Sequence, residues 1–120
     1  MKVHIIGGGN LGVSVALGLA RFSKNNQITV TRRNTASILH LEELGITVSK
    51  DNKHNIQEAD IIILTIKPYQ VDTVLAEILP VISNKVIASG VSGLSIENLQ
   101  KKIGDSNSAI RIMPNIAAQF

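Results

Sequence analysis

The stretch from Val3 to Phe22 constrains the fold more tightly than any other part of the chain. An apolar, strand-like run (VHII) gives way to Gly7-Gly8-Gly9 and then to a segment of helical periodicity, NLGVSVALGLARF. Glycine costs backbone entropy in either element, so three in a row imply a demand that a side chain would defeat. The spacing Gly7-x-Gly9-x-x-Gly12 meets such a demand. Its first glycine makes a tight turn, its second lets backbone approach a pyrophosphate, and its third lets the helix pack closely on the strand. The phosphates then lie at a helix N-terminus, where free N–H groups and the helix dipole favour anions. A glycine-rich turn without a ligand is the plainer alternative. The position between a strand and a helix, at the start of the chain, argues against it.

Short apolar runs alternate with helix-period segments along the remaining sequence. Strands are expected at Val3–Ile6, Gln27–Thr31, Ile46–Val48, Ile61–Ile66, Lys85–Ala88 and Ala109–Met113. Helices are expected from Asn10 to about Phe22, after a cap at Asn34, from Pro68, and over Ser95–Lys102. The segment after Asn34 carries Ile38, Leu41 and Leu44 three apart and ends at Gly45, a residue suited to the C′ position. The polar run SKDNKHNIQEAD reads as a loop with one helical turn. In the segment opened by Pro68, the residues Val71, Val74, Leu75, Ile78 and Leu79 mark one buried face. Hydrophobic residues make up 44% of the 120 and aromatics only 2%, so aliphatic side chains must fill the core. That composition suits buried parallel strands covered by helices. The βαβαβ order predicts a single α/β domain: a doubly wound parallel sheet of about six strands with helices on both faces. Ligands of such sheets bind beyond the carboxyl ends of the strands, where the strand order reverses.

Charge and composition narrow the function. The net charge of +3, from 12 basic and 9 acidic residues, is compatible with an anionic ligand. No basic run suggests a nucleic-acid partner. Cysteine is absent and no His or carboxylate cluster has metal-ligand spacing, so no metal is expected. The apolar runs fall short of a membrane span, and the first residues read as a strand rather than a secretory signal. The expectation is a cytoplasmic protein that acts on no membrane.

The end of the second strand selects the cofactor. A site for NAD usually places an acid there, on the ribose 2′-OH. Here the sequence is Thr31-Arg32-Arg33-Asn34, without a carboxylate. A guanidinium meets a 2′-phosphate in bidentate fashion, so these residues predict NADP(H), with Arg32 as the clamp. Two solvated surface arginines are the alternative. Thr65-Ile66-Lys67-Pro68 after the fourth strand and Ser89-Gly90-Val91 after the fifth fall on the same edge, where they would line ribose and nicotinamide. Lys67 reads equally as a ribose contact or a solvated lysine, Pro68 as a helix-start residue, and Ser89 as a turn hydroxyl. No catalytic residue is identifiable. His4, His40 and His54 read as structural or solvated, and Tyr69 has no base to partner it. Hydride transfer needs mainly positioning, so this absence does not oppose a reductase.

Taken in order, IIGGGNLG, TRRN, ADIIILTIKP, SGVSGLSIENL and RIMPN resemble the pyrroline-5-carboxylate reductases. The pattern of that family runs roughly GxGNM, a strand-two Arg-Asn, DxxxLxVKP, SxxAGxxI and RxMPN. The resemblance covers almost the whole chain. It implies a Rossmann fold and reduction of the C=N bond of 1-pyrroline-5-carboxylate to L-proline, with NADPH as hydride donor. It also implies cofactor contacts from Ile6, Gly7, Gly8, Gly9, Asn10, Leu11 and Gly12, then from Arg32, Arg33, Asn34, Thr65, Ile66, Lys67, Pro68, Ser89, Gly90 and Val91. Asn52 matches an Asn that the family uses on the adenosine side, and Met113 and Asn115 fall in the Met-Pro-Asn segment. Departures are Leu11 for a frequent Met, Gly12 for a frequent Ala, and Ser92 for a frequent Ala. The family carries a second, helical domain that forms the dimer and most of the substrate pocket, so residues 1–120 correspond to the cofactor-binding domain alone. A homo-oligomer is expected when that helical domain is present. Two other readings remain: a dinucleotide-binding module without catalysis, and a related NADP-dependent reductase, deazaflavin-linked or acting on β-hydroxyacids. The Met-Pro-Asn segment favours the imine reductase over the latter.

Overall fold

The computed structural model describes residues 1–112. Its six strands are β1 (Lys2–Ile6), β2 (Gln27–Thr31), β3 (Thr47–Ser49), β4 (Ile61–Leu64), β5 (Val86–Ser89) and β6 (Ser108–Arg111). They form one sheet in the order β3-β2-β1-β4-β5-β6, and every neighbouring pair is parallel. The chain winds outward from β1 to β3, then returns and winds the other way from β4 to β6. The reversal falls between β1 and β4, so the crevice beyond their carboxyl ends is the expected ligand position. The register puts Ile6 beside both Thr31 and Leu64, which brings the ends of β1, β2 and β4 level.

Three α-helices cover the sheet: α1 (Asn10–Phe22), α2 (Val71–Ile78) and α3 (Ile96–Ile103). Successive residues of a strand point to opposite faces, and here both faces are buried. Ile62, Leu64 and Ile87 pack with Val74, Leu75 and Ile78 of α2 and Leu99 of α3 on one side. Val3, Ile5, Val30 and Ile63 pack with Ala16 of α1, Ile38 and Leu41 on the other. Among the described residues the aromatic side chains contribute little to this core: Phe22 and Tyr69 are largely exposed.

The helix expected after Asn34 is instead a 3₁₀-helix over Thr35–Leu44. Its capping works as expected, since Asn34 Oδ1 accepts from the Ala36 N–H at 3.1 Å and Gly45 adopts a left-handed φ of 80°. The apolar spacing explains the tighter winding. Residues three apart eclipse at three residues per turn, which brings Ile38 and Leu41 onto one buried line. Pro68 likewise opens a 3₁₀ turn, Pro68–Gln70, before α2 begins at Val71. The fourth strand ends at Leu64 rather than Ile66, because the Thr65 hydroxyl turns inward to donate to the carbonyls of Ile6 and Gly7 at 3.1 and 2.8 Å. The second strand matches expectation at both ends, the first at its end and the fourth at its start, and the other strand ends differ from expectation by one or two residues. Met113 lies outside the described residues.

Candidate functional site

The turn between β1 and α1 shows what each glycine is for. Gly7 has φ of +104°, and a Cβ on it would lie 2.5 Å from the Thr65 carbonyl oxygen. A Cβ on Gly12 would lie 2.1 Å from the Gly7 carbonyl oxygen, so helix and turn touch backbone to backbone. Gly8 is enclosed by Ile38, Val30 and Arg32. The N–H groups of Gly7 and Gly8 both donate to the Thr31 carbonyl, tying the turn to the end of β2. Gly9 differs from all three. Nothing lies within 4 Å of a Cβ built there, so the fold itself does not require glycine at this position. Gly9 is also the N-cap of α1, where no side chain caps the helix and no acid occupies the first turn. The free N–H groups of that turn are left to meet an anion.

Gly9 stands at the edge of a cavity of about 650 Å³ at the carboxyl ends of β1, β2 and β4. Ile6, Gly7, Gly8, Gly9, Asn10 and Leu11 line it, together with Arg32 and Arg33. Asn52 comes from beyond β3, and Thr65, Ile66 and Lys67 from beyond β4. These are residues that sequence reasoning selected from four separate segments. Others it selected stand elsewhere. Gly12 is buried behind the turn, Asn34 caps its own helix, and Pro68 is exposed at the start of its turn. Ser89, Gly90 and Val91 lie at the end of β5, outside the cavity wall. The Ser89 hydroxyl accepts from the Val91 N–H at 3.1 Å, and the Leu11 side chain stands 3.4 Å from a Cβ on Gly90. Asn115 and Met113 lie outside the described residues.

One part of the lining went unselected in the sequence. It consists of Tyr69, Gln70, Thr73, Val74 and Glu77, from the Pro68 turn and α2. A signal for it existed: Gln70, Thr73 and Glu77 run beside the apolar stripe of α2 at helical spacing.

Arg32 is held by the turn it faces. Its Nη1 donates to the Gly8 carbonyl at 3.0 Å, and its backbone N–H donates to the Ser49 carbonyl. No carboxylate stands at the end of β2. Asn52 is fixed from two sides. The Thr31 hydroxyl donates to its Oδ1 at 2.6 Å, and the His4 Nε2–H donates to its backbone carbonyl at 2.8 Å. A carbonyl only accepts, so the proton of His4 sits on Nε2. His4 is almost fully buried in β1 and its Nδ1 has no partner. Burial holds its pKa below the ordinary histidine value, against the opposing effect of the Asn52 carbonyl, so the ring is neutral and structural. Among the described residues no group of three or more His, Cys, Asp or Glu side chains is placed to hold a metal ion.

A glycine turn at the reversal point of a parallel sheet, with an uncapped helix N-terminus facing a large crevice, defines a dinucleotide-binding α/β domain of the Rossmann type. Comparison with known sequences carries the assignment further. Residues 2–93 match the model of the family described as NADP oxidoreductase coenzyme F420-dependent, and the chain belongs to that family. Among curated proteins it is similar to pyrroline-5-carboxylate reductase 1 of Dictyostelium discoideum, with 37% identity over 120 residues, 98% of this chain and 22% of that protein. It is 33% identical over 124 residues to pyrroline-5-carboxylate reductase of Staphylococcus haemolyticus, covering 99% of this chain and 46% of that one. Among solved structures, a pyrroline-5-carboxylate reductase from Coxiella burnetii superposes with a TM-score of 0.83 at 28% identity, over 94% of this chain and 43% of that chain. The chain therefore spans less than half the length of these relatives.

Proposed function

We propose that the chain is the NADP(H)-binding part of a reductase that converts 1-pyrroline-5-carboxylate to L-proline. Gly9 is the observation that carries the reading. Gly7 and Gly12 are required by contacts within the fold, whereas Gly9 faces open space and gains a purpose only when a ligand approaches it. In this reading the pyrophosphate rests on the first turn of α1, against the N–H groups of Asn10 and Leu11. Arg32, already oriented by the Gly8 carbonyl, pairs with the 2′-phosphate, and Arg33 and Asn34 border it. Asn52 serves the adenosine side. Lys67, with Thr65, Ile66 and Pro68, serves the ribose and nicotinamide side, towards which Ser89, Gly90 and Val91 also belong, and the family resemblance adds Met113 and Asn115 to the cofactor contacts. When bound, the cofactor supplies the hydride for the imine carbon. The chain's own residues bind and orient it.

The substrate follows from the relatives' names and from the RIMPN segment, and a helical region in the remaining length of those relatives would close the substrate pocket and the dimer. Among the described residues no helix is long and apolar enough to cross a membrane, and the reading places the reaction in the cytoplasm. The family description favours one alternative, a reductase linked to a deazaflavin coenzyme. Paired calorimetric titrations test the cofactor: NADPH should bind more tightly than NADH, and superimposable curves would reject it. Turnover of 1-pyrroline-5-carboxylate by the whole protein, against its turnover of a reduced deazaflavin, separates the two substrates.

A further inference from the structure

The polar flank of α2 that borders the cavity has no evident role in the fold. The helix buries Val71, Val74, Leu75 and Ile78, and on its outer side Asp72 takes the Lys102 ammonium of α3 at 2.7 Å. Thr73 and Glu77, one turn apart, form the cavity wall beside Val74. Glu77 is half-buried there, and the ion pair found among the described residues is that of Asp72 rather than Glu77. Glu77 is the one carboxylate among the lining residues, and Arg32 and Arg33 stand in the same cavity. The cavity lining therefore sets one carboxylate among three cationic side chains, Arg32, Arg33 and Lys67. A carboxylate repels phosphate, so anion binding accounts for the arginines and leaves Glu77 unexplained. What suits Glu77 is a neutral group that donates hydrogen bonds.

We propose that Thr73 and Glu77 read the base of the dinucleotide, selecting an edge that sets an amino group beside a ring-nitrogen acceptor, as adenine does. This inference rests on the NADP(H) reading. Drawing the phosphates to the glycine turn and the arginines leaves the base for the α2 wall. The Glu77 carboxylate accepts a hydrogen from the amino group, and the Thr73 hydroxyl donates to the ring nitrogen. Side chains four apart on a helix are neighbours, with Cβ atoms about 5–6 Å apart, which fits two groups on one base edge. Val74, between them in the wall, gives the ring face an apolar surface. Hypoxanthine reverses the edge: it presents a carbonyl where adenine presents the amino group, and lone pairs then face a carboxylate. A glutamine at this position can turn either its oxygen or its NH₂ toward the base and would accept both.

The test is calorimetric titration of the 120-residue chain with NADPH and with its hypoxanthine analogue, for the unmodified chain, Glu77→Gln and Thr73→Val. The unmodified chain should prefer NADPH by about tenfold or more, the scale of one hydrogen bond to a charged group. Glu77→Gln should shrink that preference to within about threefold, and Thr73→Val should weaken it by a smaller factor. Both variants should keep the NADPH-over-NADH ratio set by the arginines, which a general loosening of the cavity would disturb. Equal affinity of the unmodified chain for the two bases would overturn the inference, as would a Glu77→Gln variant with undiminished preference. Binding without base preference overturns this inference alone. Failure of the folded chain to bind either nucleotide overturns the cofactor reading and this one with it.

Discussion

Replacing Gly9 with alanine separates ligand binding from folding. The residue has φ −79° and ψ −164°, extended backbone open to any L-amino acid, and its Cβ would touch nothing within 4 Å. The folded state therefore loses only the N-cap preference for glycine over alanine, a few tenths to about 1 kcal/mol. Restricting the unfolded chain offsets this by about 0.4–1 kcal/mol. The net change in stability should lie within about 0.5 kcal/mol of zero, and Tm should move by no more than about 4 °C. Gly12→Ala is the contrast. Its Cβ would lie 2.1 Å from a backbone oxygen, which no rotamer change relieves, so overpacking should cost about 1–3 kcal/mol or more. Binding reverses the ranking. A methyl group on Gly9 occupies the approach to the first turn of α1 and should remove one or more charge-assisted contacts to the pyrophosphate, about 1.5–3 kcal/mol. That is a loss of roughly 10- to 150-fold in affinity for NADPH. Thermal melts of the unliganded variants and calorimetric titration of the folded protein measure the two effects separately. Gly9→Ala with unchanged NADPH affinity would refute the reasoning and return the turn to a purely structural role.

Arg32→Ala should narrow the preference for NADPH over NADH by about 1–3 kcal/mol. Paired titrations that give the same ratio before and after the substitution would show that Arg32 does not meet the 2′-phosphate. His4 makes stability depend on pH in a defined direction. The unfolded chain takes up a proton near the ordinary pKa of 6.5, whereas the buried ring does so only at lower pH. Stability should thus be level above about pH 6.5 and fall as pH drops below it, with a slope of at most about 1.4 kcal/mol per unit from this group. Denaturant titrations across that range should show the slope, and His4→Leu should lose it. Finally, the 120-residue chain should bind NADPH yet oxidise it negligibly with 1-pyrroline-5-carboxylate, because reaction requires atoms held about 3–3.5 Å apart from both sides. Brisk turnover by this chain alone would contradict the assignment of the substrate pocket to the relatives' remaining length.

The sheet was readable because aliphatic runs buried on both faces leave few other arrangements, and the glycine spacing by itself marks the crevice. Where reading and structure part, the cause is a contact distant in sequence. Thr65 leaves the strand because its hydroxyl finds carbonyls 58 and 59 residues away. The Thr35–Leu44 segment carried its 3₁₀ signature openly, as the three-residue spacing of Ile38, Leu41 and Leu44, yet that spacing also fits an α-helix until packing decides. Motifs found the glycine turn and the arginines of the cavity lining and missed the residues of α2. Backbone-approach sites require particular residues, whereas Thr73 and Glu77 need only the right helical phase.

Asn52 shows how much of a site can rest on residues that carry no motif. Its place in a polar loop predicts a mobile side chain, but two hydrogen bonds from the sheet remove that freedom. His4, 48 residues earlier, holds its backbone carbonyl, and Thr31, 21 residues earlier, holds Oδ1. With Oδ1 engaged, Nδ2 is the part of the amide left to donate, and Asn52 is among the residues that line the cavity. A donor there has the same preference as Arg32 and Arg33, for oxygen bearing negative charge. The neutral state of His4 belongs to the same design: its Nδ1 has no partner, and a second proton on that ring would be a buried charge. The strand that carries the glycine turn therefore also holds, through one imidazole, the loop that faces it.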